Sequence, residues 1–169
     1  ITTIPLKHRV YTNGFLFQQK PGERILNIQK VKELDIDPSY YQKAKQGFDV
    51  PDSKADIVSN AAITLDPSPP KSYAYCSDTA YFEEIVPQIL NTTLLYHEAT
   101  FLQQHAALAV KTMHSTARQA ALIAKKAAVG SLLLGHYSGR YNDYNEFKNQ
   151  AQEVFSATQL AQDGKVFEI

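Results

Sequence analysis

Three apolar runs in the second half of the chain each end in residues able to do chemistry: Cys76-Ser77-Asp78-Thr79, His97-Glu98-Ala99-Thr100 and His136-Tyr137-Ser138-Gly139-Arg140-Tyr141. An Asp, a His-Glu pair and a His at successive ends suit a hard or borderline divalent cation. Imidazole favours Zn²⁺, and a carboxylate can bridge two ions. A further histidine, His114, precedes a helical pattern together with Ser115 and Thr116, where free backbone N–H groups favour a phosphate. Singly, each residue has an ordinary explanation: a turn or cap for Asp78, a hydrogen-bonding role for the histidines, a helix start for Glu98 and a solvated charge for Arg140. His105, with no chemical neighbours in sequence, keeps that ordinary reading. Jointly they point to a metal site, but an incomplete one. His8, Asp78 and His136 are too few for two metals, each of which needs about three protein ligands beside an open water position. No His-x-His, His-x-x-Glu-His or His-Glu-x-x-His cluster occurs. Another segment or another chain has to finish the site.

These residues meet only if the elements carrying them are neighbours. The apolar runs Ser72 to Cys76, Thr93 to Tyr96 and Ser131 to Gly135 alternate with helical patterns near 81 to 90, 102 to 111, 117 to 128 and 143 to 154. That rhythm predicts crossover units and a largely parallel sheet, whose strands share one carboxyl edge where ligands bind. Thr116-Ala117-Arg118-Gln119 fits a capping box. Alanines at 117, 120, 121, 124, 127 and 128 form a small face for close packing, with Gly130 placed as a C-cap. Before Lys71 the text differs. Strand-like runs at Ile4 to Val10 and Phe15 to Phe17 flank the turn signal Asn13-Gly14. Two helix-like pieces, near Ile28 to Leu34 and Tyr40 to Gln46, follow, and Asp66-Pro67-Ser68-Pro69-Pro70 stops regular structure. The middle region has few core residues and reads as an arm or insertion. The chain is expected to close in a hairpin-like ending around Asp163-Gly164.

Composition narrows the class. The 169 residues match one domain, and 44% apolar residues beside 20% charged exclude disorder. Seventeen basic against seventeen acidic residues give no general attraction to nucleic acid or to an acidic membrane. One cysteine, Cys76, excludes an internal disulfide and a thiolate zinc site. No apolar run approaches the roughly 20 residues of a membrane span, and no signal-type segment opens the chain, so the expected location is cytoplasmic. The start at Ile1 reads as a piece of something longer.

In Ser77-Asp78-Thr79, His97-Glu98-Ala99-Thr100-Phe101, His114-Ser115-Thr116, Gln119-Ala120-Ala121, His136-Tyr137-Ser138-Gly139-Arg140-Tyr141 and Leu160-Ala161-Gln162-Asp163-Gly164, taken in order, the chain resembles the carboxyl-terminal half of the ribonuclease Z family, tRNA 3′-processing endonucleases of the metallo-β-lactamase superfamily. The resemblance implies an α/β fold: residues 1–169 as half of a metallo-β-lactamase αββα sandwich, with 14–50 inserted as a tRNA-binding arm. It implies a zinc-dependent endoribonuclease that removes the 3′ trailer from precursor tRNA by metal-hydroxide attack, with two zinc ions in the complete site. His8 and His136 match metal ligands, and Asp78 matches the bridging carboxylate. Glu98 and His114 match a catalytic proton-relay pair, Arg140 a phosphate contact, and His97 a structural or supporting residue. In the arm, Lys20, Arg24, Lys30, Lys32, Lys43 and Lys45 offer phosphate contacts. The implied partners are precursor tRNA, a second identical subunit, and the amino-terminal half of the same domain, with no membrane. The family's His-x-His-x-Asp-His motif is absent from these residues, so the chain alone is expected to be inactive, with weak or empty metal sites. The family's Gly-Pro pair is replaced around Pro38-Ser39-Tyr40, and Ser77 stands where a glycine is usual. Two rivals remain: a non-catalytic tRNA-binding or dimerisation module, and a relative hydrolysing small phosphodiesters or sulfate esters.

Overall fold

A computed structural model describes all 169 residues. In chain order the elements are β1 (Thr2–Leu6), β2 (Thr12–Gln18), β3 (Ile25–Leu26), α1 (Ile28–Glu33), α2 (Tyr41–Lys45), β4 (Val50–Pro51), β5 (Ile57–Val58), α3 (Asn60–Ile63), β6 (Thr64–Leu65) and β7 (Ser72–Cys76). There follow β8 (Leu94–Glu98), α4 (Ala106–Thr112), α5 (Ala117–Lys126), β9 (Ser131–Gly135), α6 (Asn145–Gln152) and β10 (Thr158–Leu160). They form two compact units, one of Ile1–Gln18 with Lys71–Ile169 and one of Gln19–Pro70.

The larger unit is built on a six-stranded sheet of order β1-β2-β7-β8-β9-β10. β1, β2 and β7 pair antiparallel, while β7 to β10 run parallel. The three chemistry-bearing strands, β7, β8 and β9, are therefore adjacent, and their carboxyl ends share one edge. Alternation sends Ala74 and Cys76, Leu95, and Leu132 and Leu134 into a buried layer beneath α5 and α6. The alanine face is what lets α5 lie close. Ala117, Ala120, Ala121, Ala124 and Ala127 are all buried, and Phe147 of α6 fills the space beside them.

Several sequence expectations give way here. Asn13-Gly14 lies inside β2, opposite Pro5 and Ile4, and the chain reverses earlier, between Leu6 and Thr12. Gly14 is needed for a close approach: a β-carbon there would stand 2.5 Å from the Tyr75 carbonyl oxygen and 3.3 Å from Cys76 Sγ. Since the first obstacle is backbone, Gly14→Ala is expected to cost about 1–3 kcal/mol by overpacking, read as a lower urea midpoint at unchanged slope. Gly130 is likewise a contact glycine, with Thr93 oxygen 2.7 Å from its would-be β-carbon, and the left-handed residue that ends α5 is Ala128 at φ +50°. The helix expected near 81 to 90 is a 3₁₀ turn, Glu83–Gln88, because Pro87 inside it has no N–H to donate. The ending is no hairpin. Leu160 packs on the core and β10 joins β9 in parallel, while Lys165–Ile169 is mostly exposed and forms no strand.

The smaller unit has a core of its own: Val31, Ile36, Ala44, Val50 and Ile63. Buried Asn60 ties it together, donating Nδ2–H to the carbonyls of Ala44 at 2.6 Å and Phe48 at 3.1 Å. Its limits differ from the 14–50 expected for the arm. Residues 15–18 are paired to β7, and the unit continues to Pro70 because β6 closes on β3.

Candidate functional site

The edge holding the carboxyl ends of β7, β8 and β9 brings Asp78, Glu98, His114 and His136 together, with one ligand-type atom of each within 4.8 Å of the others. Asp78 and His136 follow β7 and β9 in the left-handed region, at φ +56° and +59°. Non-glycine residues held there are uncommon and concentrate where side chains must be aimed. They are aimed at each other: His136 Nε2 is 3.1 Å from Asp78 Oδ1.

Glu98, the last residue of β8, is fully buried. Its carboxylate accepts five hydrogen bonds. Oε1 takes the Thr79 N–H at 2.7 Å and His114 Nδ1 at 2.7 Å. Oε2 takes the Ser115 N–H at 3.0 Å, the Thr100 hydroxyl at 2.7 Å and the Thr100 N–H at 3.3 Å. Burial by itself raises a carboxyl pKa, but these donors outweigh it and hold Glu98 below the usual carboxylate range. Its oxygens are thus committed to orienting neighbours, and the group is a poor metal ligand despite its place in the cluster.

His114 is positioned by the start of α5. Thr116 Oγ1 accepts the Gln119 N–H at 3.2 Å, and the Gln119 side chain accepts the Thr116 N–H at 2.9 Å, which realises the capping box. The Ser115 hydroxyl donates to the Thr79 carbonyl at 2.8 Å, pinning this loop to the end of β7. The hydrogen bond to Glu98 raises the His114 pKa, against the opposing effect of burial. With Nδ1–H given to Glu98, Nε2 is the atom left for a substrate.

His8 lies beside His114, ring centroids 5.0 Å apart, but outside the four-residue cluster. Its Nδ1 is 2.9 Å from the Met113 carbonyl; donating there, it leaves Nε2 as the lone-pair nitrogen, as a metal ligand requires. Arg140 is exposed, with its guanidinium 5.4 Å over the Phe101 ring, whose centroid is 6.3 Å from that of His114. His97 points into the core. Its Nδ1 bonds the Glu98 carbonyl at 2.8 Å, its Nε2 is buried without a partner, and burial lowers its pKa. His105 accepts from the Tyr141 hydroxyl at 2.7 Å and has a structural role. In the smaller unit Arg24 is engaged, donating to Thr64 Oγ1 at 2.6 Å and pairing with Asp66 at 2.5 Å, whereas Lys20 and Lys43 are exposed. Lys45 is half-buried. Sequence reasoning missed Thr79, Thr100 and Ser115 as supports of Glu98. Their only signal was position beside the charged residues.

The fold is that of about half of a metallo-β-lactamase fold protein. A metallo-β-lactamase fold protein from Bacillus subtilis superposes with a TM-score of 0.62 at 20% identity, over 98% of this chain and 48% of that one. The short form of human tRNase Z does so at 0.53 and 20% identity, over 99% and 42%. By sequence the chain is similar to ribonuclease Z over about half of that protein's length. It is 43% identical over 164 residues to the ribonuclease Z of Parabacteroides distasonis, covering 97% of this chain and 54% of that protein. It is also 43% identical over 168 residues to that of Cytophaga hutchinsonii, covering 99% and 53%. The chain thus spans about half the length of the relatives it matches. No family model matches it.

Proposed function

We propose that this chain is the portion of a zinc-dependent tRNA 3′ endoribonuclease that supplies the proton-transfer pair, Glu98 and His114, and three metal ligands, His8, Asp78 and His136. The observation that carries the reading is the buried Glu98–His114 bond beside the Asp78–His136 contact. A general acid needs an imidazole held by a carboxylate, within reach of the group it protonates. The metal residues fit zinc: an imidazole nitrogen and a carboxylate oxygen face one another with no proton donor assigned between them, and His8 keeps its Nε2 free. When bound, two zinc ions would supply an acidified water and neutralise charge on the phosphoryl oxygens. In this chain Glu98 holds the His114 proton at Nδ1, and His114 protonates the leaving 3′ oxygen of the tRNA. Arg140 contacts phosphate with its planar donor fork.

The reading extends to partners. In the proposed protein the remaining half of the sandwich covers the sheet face carrying Phe15, Phe17 and Tyr75, all at least one-third exposed, beside an open depression of about 850 Å³ floored by Tyr96, Gly135 and Leu160. The smaller unit, residues 19–70, with Lys20, Lys43 and Lys45, grips the tRNA, Arg24 acting chiefly in the unit's own structure. A second identical subunit completes the assembly, in the cytoplasm. The relatives at 43% identity are ribonucleases, which supports an RNA substrate.

Two measurements on the 169-residue chain test this. A zinc titration is expected to show weak, substoichiometric binding, and precursor tRNA is expected to stay uncut, because the His-x-His-x-Asp-His ligands are not among these residues. Tight stoichiometric zinc, or robust turnover, would contradict the division of labour proposed.

A further inference from the structure

Thr100 has one hydroxyl proton and stands between two groups that each claim a bond from it. Its Oγ1 donates to Glu98 Oε2 at 2.7 Å and lies 2.9 Å from His136 Nδ1. An ionised carboxylate only accepts, so the hydroxyl proton is committed to Glu98. The direction of the second bond follows: His136 Nδ1 carries the hydrogen and Thr100 accepts it. We infer that Thr100 is a positioning residue that fixes His136 in its Nδ1–H tautomer and turns Nε2, as a bare lone pair, toward Asp78 Oδ1 3.1 Å away.

The same carboxylate takes the Nδ1–H of His114 through its other oxygen. Glu98 therefore orders two imidazoles, one directly and one through a hydroxyl, and both are left with Nε2 facing the open side of the cluster. Two acceptors at 3.1 Å repel unless a cation or a proton lies between them, so the Thr100 bond keeps His136 ready for a cation. The metal consequence rests on the reading of Asp78 and His136 as ligands given above. The tautomer assignment rests on hydrogen bonds alone.

Long-range ¹H–¹⁵N spectra of the histidine side chains in this chain, taken at about pH 8 where an ordinary imidazole is neutral, test it. Wild type is expected to show His136 protonated at Nδ1 only. Thr100→Val keeps the shape of this nearly buried side chain but removes both hydroxyl bonds, and is expected to give a mixture of tautomers or Nε2–H. Thr100→Ser restores the single tautomer. His114, whose partner is Glu98 itself, keeps its Nδ1–H in all three and reports that the fold is intact. A zinc titration followed at the His136 signal is expected to weaken about 10–100-fold in the valine variant and recover in the serine variant. A valine variant that keeps the Nδ1–H form overturns the assignment, as does a serine variant that behaves like valine. Changed tautomers with unchanged zinc response would instead overturn the reading of His136 as a ligand.

Discussion

Glu98→Gln is expected to destabilise the chain by about 3–5 kcal/mol, the range for breaking a buried charged pair by removing one partner. The geometry explains why a near-isosteric change is so costly. Five donors converge on the carboxylate, at least two on each oxygen. An amide nitrogen on either side brings hydrogens of its own against those donors, leaving backbone N–H groups of Thr79, or of Thr100 and Ser115, buried and unsatisfied. The effect carries a pH signature. Glu98, depressed in the fold, contributes stability that is complete above the ordinary carboxylate value of about 4.3 and is lost as pH falls through the folded value. His114, raised in the fold, contributes stability that is complete below about 6.5 and is lost as pH rises through its folded value. The gap between wild type and Glu98→Gln is therefore widest between roughly pH 4.5 and 6.5 and narrows on either side. Buried His97 works oppositely, since its lowered pKa favours the fold above about 6.5 and penalises it as pH falls below; the Glu98 charge opposes that lowering, so Glu98→Gln deepens it and does not shrink the gap at pH 5.5. Urea unfolding across pH reads the gap, and one under about 1 kcal/mol at pH 5.5 would mean that the five-donor cage is not holding a charge.

The convergence of this site was legible because it depends on one rule. Strands separated by helices run parallel and end on one edge, so taking Ser72 to Cys76, Thr93 to Tyr96 and Ser131 to Gly135 as neighbours brings Asp78, His97, Glu98 and His136 together; all but His97, which turns into the core, do meet. Contacts set by side-chain direction were not legible. The bond between Thr100 and His136 joins residues 36 apart and depends on a left-handed backbone at His136 that no spacing rule announces. Asn13-Gly14 misled for a related reason: the dipeptide that favours a two-residue turn also serves a strand pressed against a neighbouring carbonyl, and only the packing distinguishes the two. The smaller unit was read as an insertion from its sparse apolar content. Its extent to Pro70 rests on a two-residue ladder, β3 with β6, too short to leave a periodic trace.

His114→Ala separates chemistry from stability in the opposite sense. Its removal leaves Glu98 four donors, from Thr79, Ser115 and both groups of Thr100, so the fold is expected to suffer far less than with Glu98→Gln. Activity is expected to fall steeply. In a protein joining this chain to the other half of its sandwich, loss of the proposed general acid is expected to lower kcat on precursor tRNA by about 10²–10⁴-fold. A ribose 3′ oxygen leaves as a strongly basic alkoxide unless protonated, and in the proposed mechanism His114 Nε2, on an imidazole whose pKa Glu98 raises, is the group that does it. An aryl phosphodiester with an acidic phenol as leaving group needs no such help, so the same variant is expected to lose little on that substrate. Equal losses on both substrates would assign His114 to phosphate binding or to holding the metal residues. No loss on either would mean that the Glu98–His114 pair serves the fold alone.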